Sequence, residues 1–100
     1  MASRNYTALT RTRLYSLAGN TCSHPDCNER LVSTNYNVSD ICHIEALNKG
    51  GLRYNPKSND KERNDYPNLI LLCKNHHGII DAEDGDGSPL YGVAQLKAMK

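Results

Sequence analysis

Asn68-Leu69-Ile70-Leu71-Leu72-Cys73-Lys74-Asn75-His76-His77-Gly78-Ile79-Ile80-Asp81 is the stretch on which the fold of this chain turns. The apolar run is long enough for one buried strand, and it ends in a cysteine. A histidine follows three residues later, then a second one. The spacing after them predicts a short helix to about Ala82, with Asn75 as its N-cap. Thiolate and imidazole at the Cys73/His76 spacing can grip one zinc ion from a tight knuckle. His77 has no duty in that knuckle, which makes it a candidate for chemistry.

A matching half-site lies upstream in Cys22-Ser23-His24-Pro25-Asp26-Cys27. Pro25 and Asp26 favour a tight turn that brings the two sulfurs together. His24 is a possible substitute ligand inside that turn, although Cys27 completes the pair with softer chemistry. Cys22, Cys27, Cys73 and His76 give four ligands and a closed tetrahedral site, and the metal in a closed site is structural. The chain needs such a staple, because 100 residues without Trp or Phe bury little core. Disulfides are the rival use of the four cysteines. The opening Met1-Ala-Ser-Arg4-Asn-Tyr6 carries no apolar leader, so nothing supports the secreted context that they require. The glycosylation patterns at Asn5 and Asn37 lack meaning for the same reason. Cys42 remains, and reads as a small buried hydrophobe on a strand.

No stretch approaches transmembrane length. The formal net charge is only +1, so there is no global basic footprint. Its distribution says more. Arg4, Arg11 and Arg13 gather near the start, Lys49, Arg53, Lys57, Lys61 and Arg63 crowd the middle, and Glu83, Asp84 and Asp86 compensate late. The central group offers contacts to phosphate, with solvated surface charge as the bland alternative.

Thr10 to Ala18 reads as a helix with Leu14 and Leu17 on one face, stopped by Gly19-Asn20. Leu31-Val32 and Val38 to Ile44 read as strand segments. Alternation along the second sends Cys42 and His43 to opposite faces. Between Glu45 and Asn68 periodicity is lost, apart from one or two helical turns at Asn59 to Asp65. A connection that long in so small a domain points to function. Gly85 to Pro89 is turn chemistry, and Val93 to Met99 is an amphipathic helix with Val93, Leu96 and Met99 on its apolar face. That face looks unfinished, so a longer protein is expected.

Four residues remain unspent outside the knuckles: His43, Asn68, His77 and Asp81. His77 and Asp81 are i and i+4 on the predicted helix, so imidazole and carboxylate share a face and can hold a divalent ion. His43, at a strand end, is a candidate general base.

His43, Asn68 and His77 stand in the order of the HNH endonuclease motif. From Cys22 to Asp81 the chain resembles that family, with Cys22…Cys27, His43-Ile44, Asn68-Leu-Ile-Leu-Leu-Cys73 and His76-His77. The resemblance implies a small α+β domain of the ββα-metal, treble-clef-like kind with a structural zinc, its core at about 22–82. It implies a metal-dependent endonuclease that hydrolyses DNA phosphodiesters with low sequence specificity. In that reading His43 activates water and Asn68 holds the His43 loop through backbone hydrogen bonds. His77 and Asp81 ligate a catalytic ion, Mg2+ or another divalent ion such as Mn2+ or Ni2+. Many members place aspartate directly before the first histidine, where this chain has Cys42. Thiolate is a poor magnesium ligand, so compensation by Asp81 or Glu45, or a softer ion, is required. The resemblance further implies a cytoplasmic, bacterial or phage-encoded protein in anti-phage defence, this chain being its N-terminal nuclease domain. Homodimers or higher oligomers would form through regions beyond Lys100. The competing reading is a non-catalytic zinc-stapled module that binds nucleic acid or protein.

Overall fold

The computed structural model describes residues 6–83 and 89–100. Arg4, Asn5, Asp84, Asp86 and the turn from Gly85 to Ser88 lie outside the described residues. The elements run α1 (Ala8–Ala18), β1 (Ser39–His43), α2 (Asp60–Arg63), β2 (Leu69–Cys73), α3 (Lys74–Ile80) and α4 (Val93–Met99). Together they form a small α+β domain.

Its centre is β2, whose five residues are all buried. A strand buried on both faces has no polar side to show, which is why Leu69 to Leu72 read as an unbroken apolar run. β1 pairs with it antiparallel, with His43 opposite Leu69, Asp40 opposite Leu72 and Ser39 opposite Cys73. Cys42 is fully buried in the core with Leu31, Ile44, Ile70, Leu72, Ile80 and Leu96, as its reading as a small hydrophobe expects.

α1 starts two residues earlier than expected, because the Thr7 hydroxyl caps it by accepting from Thr10 N–H. Gly19 closes it in the left-handed region at φ 63°. The buried face is Thr10 and Leu14, whereas Leu17, expected beside Leu14, is exposed. Residues i and i+4 stack on one face, and Leu17 falls off it. Tyr15 Oη and Ser39 Oγ, 2.6 Å apart, fasten the helix to β1.

Leu31-Val32 does not form the expected strand. The Asn20 amide occupies both backbone groups of Val32, donating to its carbonyl at 2.8 Å and accepting from its N–H at 2.9 Å. A side chain thus takes the place of a ladder partner. Isolated bridges Thr21–Arg30 and Val32–Asn37 are what remains.

The connection from Ile44 to Asn68 is ordered by two arginines that run inward. Arg53, at a left-handed φ of 61°, donates Nε to Ile44 O at 2.6 Å and Nη1 to Ile80 O at 3.0 Å. It therefore ties the end of β1 to the end of α3. Arg63 is equally buried: Nη1 meets Asp60, Nη2 meets Tyr54 Oη and Asn55 O, and the guanidinium lies over the Tyr54 ring. Five donors in a fixed fork let one side chain satisfy several loop carbonyls at once. The sequence offered both arginines as phosphate contacts, whereas their side chains are almost wholly buried. α2 begins at a capping box between Asn59 and Glu62.

α4 covers the core with Leu96, fully buried, and with Val93 and Met99 packed beside it. Its apolar face thus packs on this chain's own core, with Val93 and Met99 partly buried. No helix among the described residues is long and apolar enough to cross a membrane.

Candidate metal centre and histidine cleft

Cys22, Cys27, Cys73 and His76 come together from the N-terminal turn and the β2–α3 junction. Their ligand atoms all lie within 4.8 Å of one another. All four cysteines of the chain are free thiols, so no disulfide competes. Cys27 Sγ and Cys73 Sγ are 4.0 Å apart, close to the edge of about 3.8 Å that Zn–S bonds of about 2.3 Å subtend in a tetrahedron. Cys73 Sγ and His76 Nδ1 are 3.1 Å apart. Three sulfurs and one imidazole nitrogen are a donor set suited to zinc.

The knuckle builds itself from backbone. Cys73, not Asn75, is the N-cap of α3, and its sulfur accepts from His76 N–H at 3.5 Å. Cys73 N–H in turn donates to Cys22 Sγ at 3.3 Å. A thiolate is a better acceptor than a hydroxyl there, and the first turn of α3 gathers unpaired N–H groups around it. Burial pushes the Cys22 thiol up to about 11. Burial acts on Cys73 in the same sense, but hydrogen bonds from His76 and from the neighbouring thiols outweigh it and hold that thiol below its ordinary value.

His24 is not a ligand. It is buried and lies flat on His76, ring centroids 4.2 Å apart. Its Nδ1 accepts from Asp26 N–H at 3.2 Å, so Nε2 carries the proton and meets Tyr91 Oη at 3.3 Å. With both nitrogens engaged, the ring serves as a wall that fixes the plane of His76.

His77 turns away from this cluster into a cleft of about 420 Å³. His43, Arg53, His77, Asp81 and Glu83 line it together with the Ala46–Leu52 segment. A tight turn closes that segment, where a Cβ at Gly51 would meet the Ala46 Cβ at 2.6 Å. His43, His77 and Asp81, outside the Cys3His cluster, thus share one opening, although they come from the end of β1 and from α3 and its C-cap. His77 Nε2 is 3.1 Å from Asp81 Oδ2, the i,i+4 pair expected on one helical face. Arg53 Nη2 approaches the other Asp81 oxygen at 3.5 Å.

Asn68 sits behind the cleft, 7% exposed. Its Oδ1 accepts from Glu45 N–H at 2.8 Å, while Nδ2 donates to Glu45 O at 3.0 Å and to Arg63 O at 2.9 Å. Both backbone groups just past His43 are thereby bracketed by one amide. Cys42 points into the core and takes no part, and Glu45 is held here through its backbone.

Two partners of the histidines were not singled out by sequence reasoning. Asn64 Oδ1 meets His43 Nε2 at 3.0 Å, and the Asn64 amide nitrogen is committed to Asp60 O. The oxygen must accept, so His43 Nε2 carries a proton and Nδ1 is the basic nitrogen of the neutral ring. Asp40 Oδ2 meets His77 Nδ1 at 3.0 Å, and Lys74 Nζ meets the other oxygen at 2.9 Å. Partial burial raises the Asp40 carboxyl, but the His77 hydrogen bond and the Lys74 ammonium outweigh it and hold it below the usual carboxylate value. The one signal for Asp40 was an acid inside a strand pattern.

Of the central cations, Lys49, Lys57 and Lys61 are exposed, whereas the Arg53 and Arg63 side chains are almost wholly buried.

No family model, curated protein or solved structure matches this chain. The functional argument therefore rests on the site.

Proposed function

We propose that this chain is an HNH-type, ββα-metal endonuclease domain that carries a structural zinc and hydrolyses DNA phosphodiesters. The observation that carries the reading is the convergence of His43, His77 and Asp81 on one cleft, separate from the Cys3His ligand atoms. A zinc staple alone has no use for a second histidine pair facing a common opening.

His77 Nε2 and Asp81 would hold the divalent ion. Two protein ligands suffice for a hard ion that keeps several waters and takes phosphate oxygens as the rest. The bound ion would supply Lewis-acid stabilisation of charge developing on the phosphoryl group and the departing 3′ oxygen. His43 accepts a proton from water at Nδ1 as the water oxygen bonds to phosphorus and the P–O3′ bond breaks. Asn64 keeps the His43 ring in the tautomer that leaves Nδ1 basic, and Asn68 holds the strand end that carries it. Asp81 compensates for Cys42, which stands in the core where the family's usual aspartate would have to face the ion. Lys49, Lys57 and Lys61 contact phosphates, which positions a duplex without reading its sequence.

The test is cleavage of supercoiled plasmid by the zinc-loaded chain with Mg2+, Mn2+ or Ni2+ added. Divalent-dependent cutting is expected, with His43→Ala slower by about 10²–10⁴-fold while zinc content and melting stay unchanged. Absence of cutting with any of these ions, alongside retained salt-sensitive DNA binding, would instead support the zinc-stapled binding module.

A further inference from the structure

We infer that Asp40 is a positioning residue for His77, fixing the imidazole so that Nε2 faces Asp81 and the cleft; the inference rests on the metal-site reading above. The His77 side chain is 24% exposed, and an imidazole turned by half a revolution about its Cβ–Cγ bond fits nearly the same space. Packing alone therefore does not choose which nitrogen faces the cleft. The carboxylate does. The ring lies between two carboxylates, Nδ1 3.0 Å from Asp40 Oδ2 and Nε2 3.1 Å from Asp81 Oδ2, and an ion held by Nε2 and Asp81 would leave the ring proton on Nδ1, toward Asp40. Metal-binding histidines commonly donate their second nitrogen to a carboxylate, which fixes the tautomer and raises ligand basicity.

Asp40 is itself held firmly. It pairs with Leu72 in the sheet, and α3 begins two residues beyond Leu72. That register sets Asp40 against the first turn of α3, where Lys74 and His77 stand three residues apart on one face. Lys74 takes Oδ1 and His77 takes Oδ2. On the far side, Arg53 steadies the Asp81 carboxylate. The candidate ligand pair His77/Asp81 is thus braced from both ends. Neither brace lies at the position where the family resemblance would look for a carboxylate.

Two measurements decide the matter. The first is ¹⁵N NMR of the imidazoles in zinc-loaded wild type and Asp40→Ala at a pH of about 8, above the ordinary imidazole range. The His77 Nδ1 resonance is expected to move between wild type and Asp40→Ala, which loses the carboxylate partner, and an unchanged Nδ1 would overturn the inference. The second is Mn2+ binding, followed by electron paramagnetic resonance, to zinc-loaded wild type and Asp40→Ala. Affinity in the variant is expected to fall about 10–100-fold with zinc content unchanged. Equal affinity would overturn the positioning role. Should Asp40→Ala fail to fold, Asp40→Leu retains the bulk and takes its place with the same expectation. If the wild type neither binds Mn2+ nor cuts, the nuclease reading fails, while the NMR result still judges Asp40.

Discussion

His76 and His77 are consecutive in the chain and serve different sites. His76 Nδ1 lies 3.1 Å from Cys73 Sγ in the metal cluster, while His77 spans Asp40 and Asp81 at the cleft. Successive helical residues diverge by about 100°, so one short helix presents one ring to each. His76→Ala should release zinc and unfold the domain, because in a small zinc-stapled fold metal binding and folding are one equilibrium. His77→Ala should keep zinc and melting temperature but lose divalent-dependent cleavage. Elemental analysis and thermal melts of both variants check this, and the reverse pattern would show the ligands to be swapped.

Zinc binding should release protons. Cys22, with its thiol pushed up to about 11 by burial, is protonated at neutral pH and must give up that proton to ligate. Apparent zinc affinity should therefore rise by about tenfold or more per pH unit near neutrality. Calorimetry in buffers of different ionisation enthalpy measures the release. A pH-independent affinity would mean that Cys22 is not a ligand.

Asn68→Ala should destabilise the domain whatever its activity. The substitution leaves Glu45 N–H, Glu45 O and Arg63 O without their partner, at about 1–3 kcal/mol for a buried group so orphaned. Urea denaturation should show the loss. Wild-type stability would remove Asn68 from its place as the clamp behind His43.

Cys42→Ala should be mild and leave metal content unchanged, since Cys42 acts as a small core side chain. Cys42→Asp, which introduces the residue that the HNH resemblance would look for there, should be far worse. It places an uncompensated carboxylate in the core, at a cost of about 3–5 kcal/mol. A stable, active Cys42→Asp variant would mean that this side chain can reach the cleft.

The central cations should divide into two classes. Lys49→Ala, Lys57→Ala and Lys61→Ala should weaken DNA binding in a salt-dependent way, each leaving stability within about 0.5 kcal/mol. Arg63→Ala should instead cost about 1–3 kcal/mol, because it abandons Asn55 O and Tyr54 Oη inside the loop. Filter binding at two salt concentrations, paired with denaturation curves, separates the classes.

Local pattern carried much of this protein. The apolar run Leu69 to Leu72 pointed to a buried strand, the Gly19 stop was visible, and the two pairs at their short spacings pointed to the Cys3His cluster that the fold assembles. His77 and Asp81 followed from helical periodicity alone. These features depend on neighbours within a few residues, which the sequence displays directly. Tertiary structure decided what depends on register and on reach. Asp40 meets His77 only because β1 pairs with β2 one way and not shifted by a residue, which would turn every side chain to the other face. Arg53 and Arg63 read as phosphate contacts until the carbonyls they satisfy, up to 27 residues away in the case of Ile80, fold around them. Leu31-Val32 has strand propensity, yet the Asn20 side chain takes both backbone groups of Val32 first. Propensity is a property of the segment, whereas hydrogen-bond partners belong to whatever the fold brings alongside.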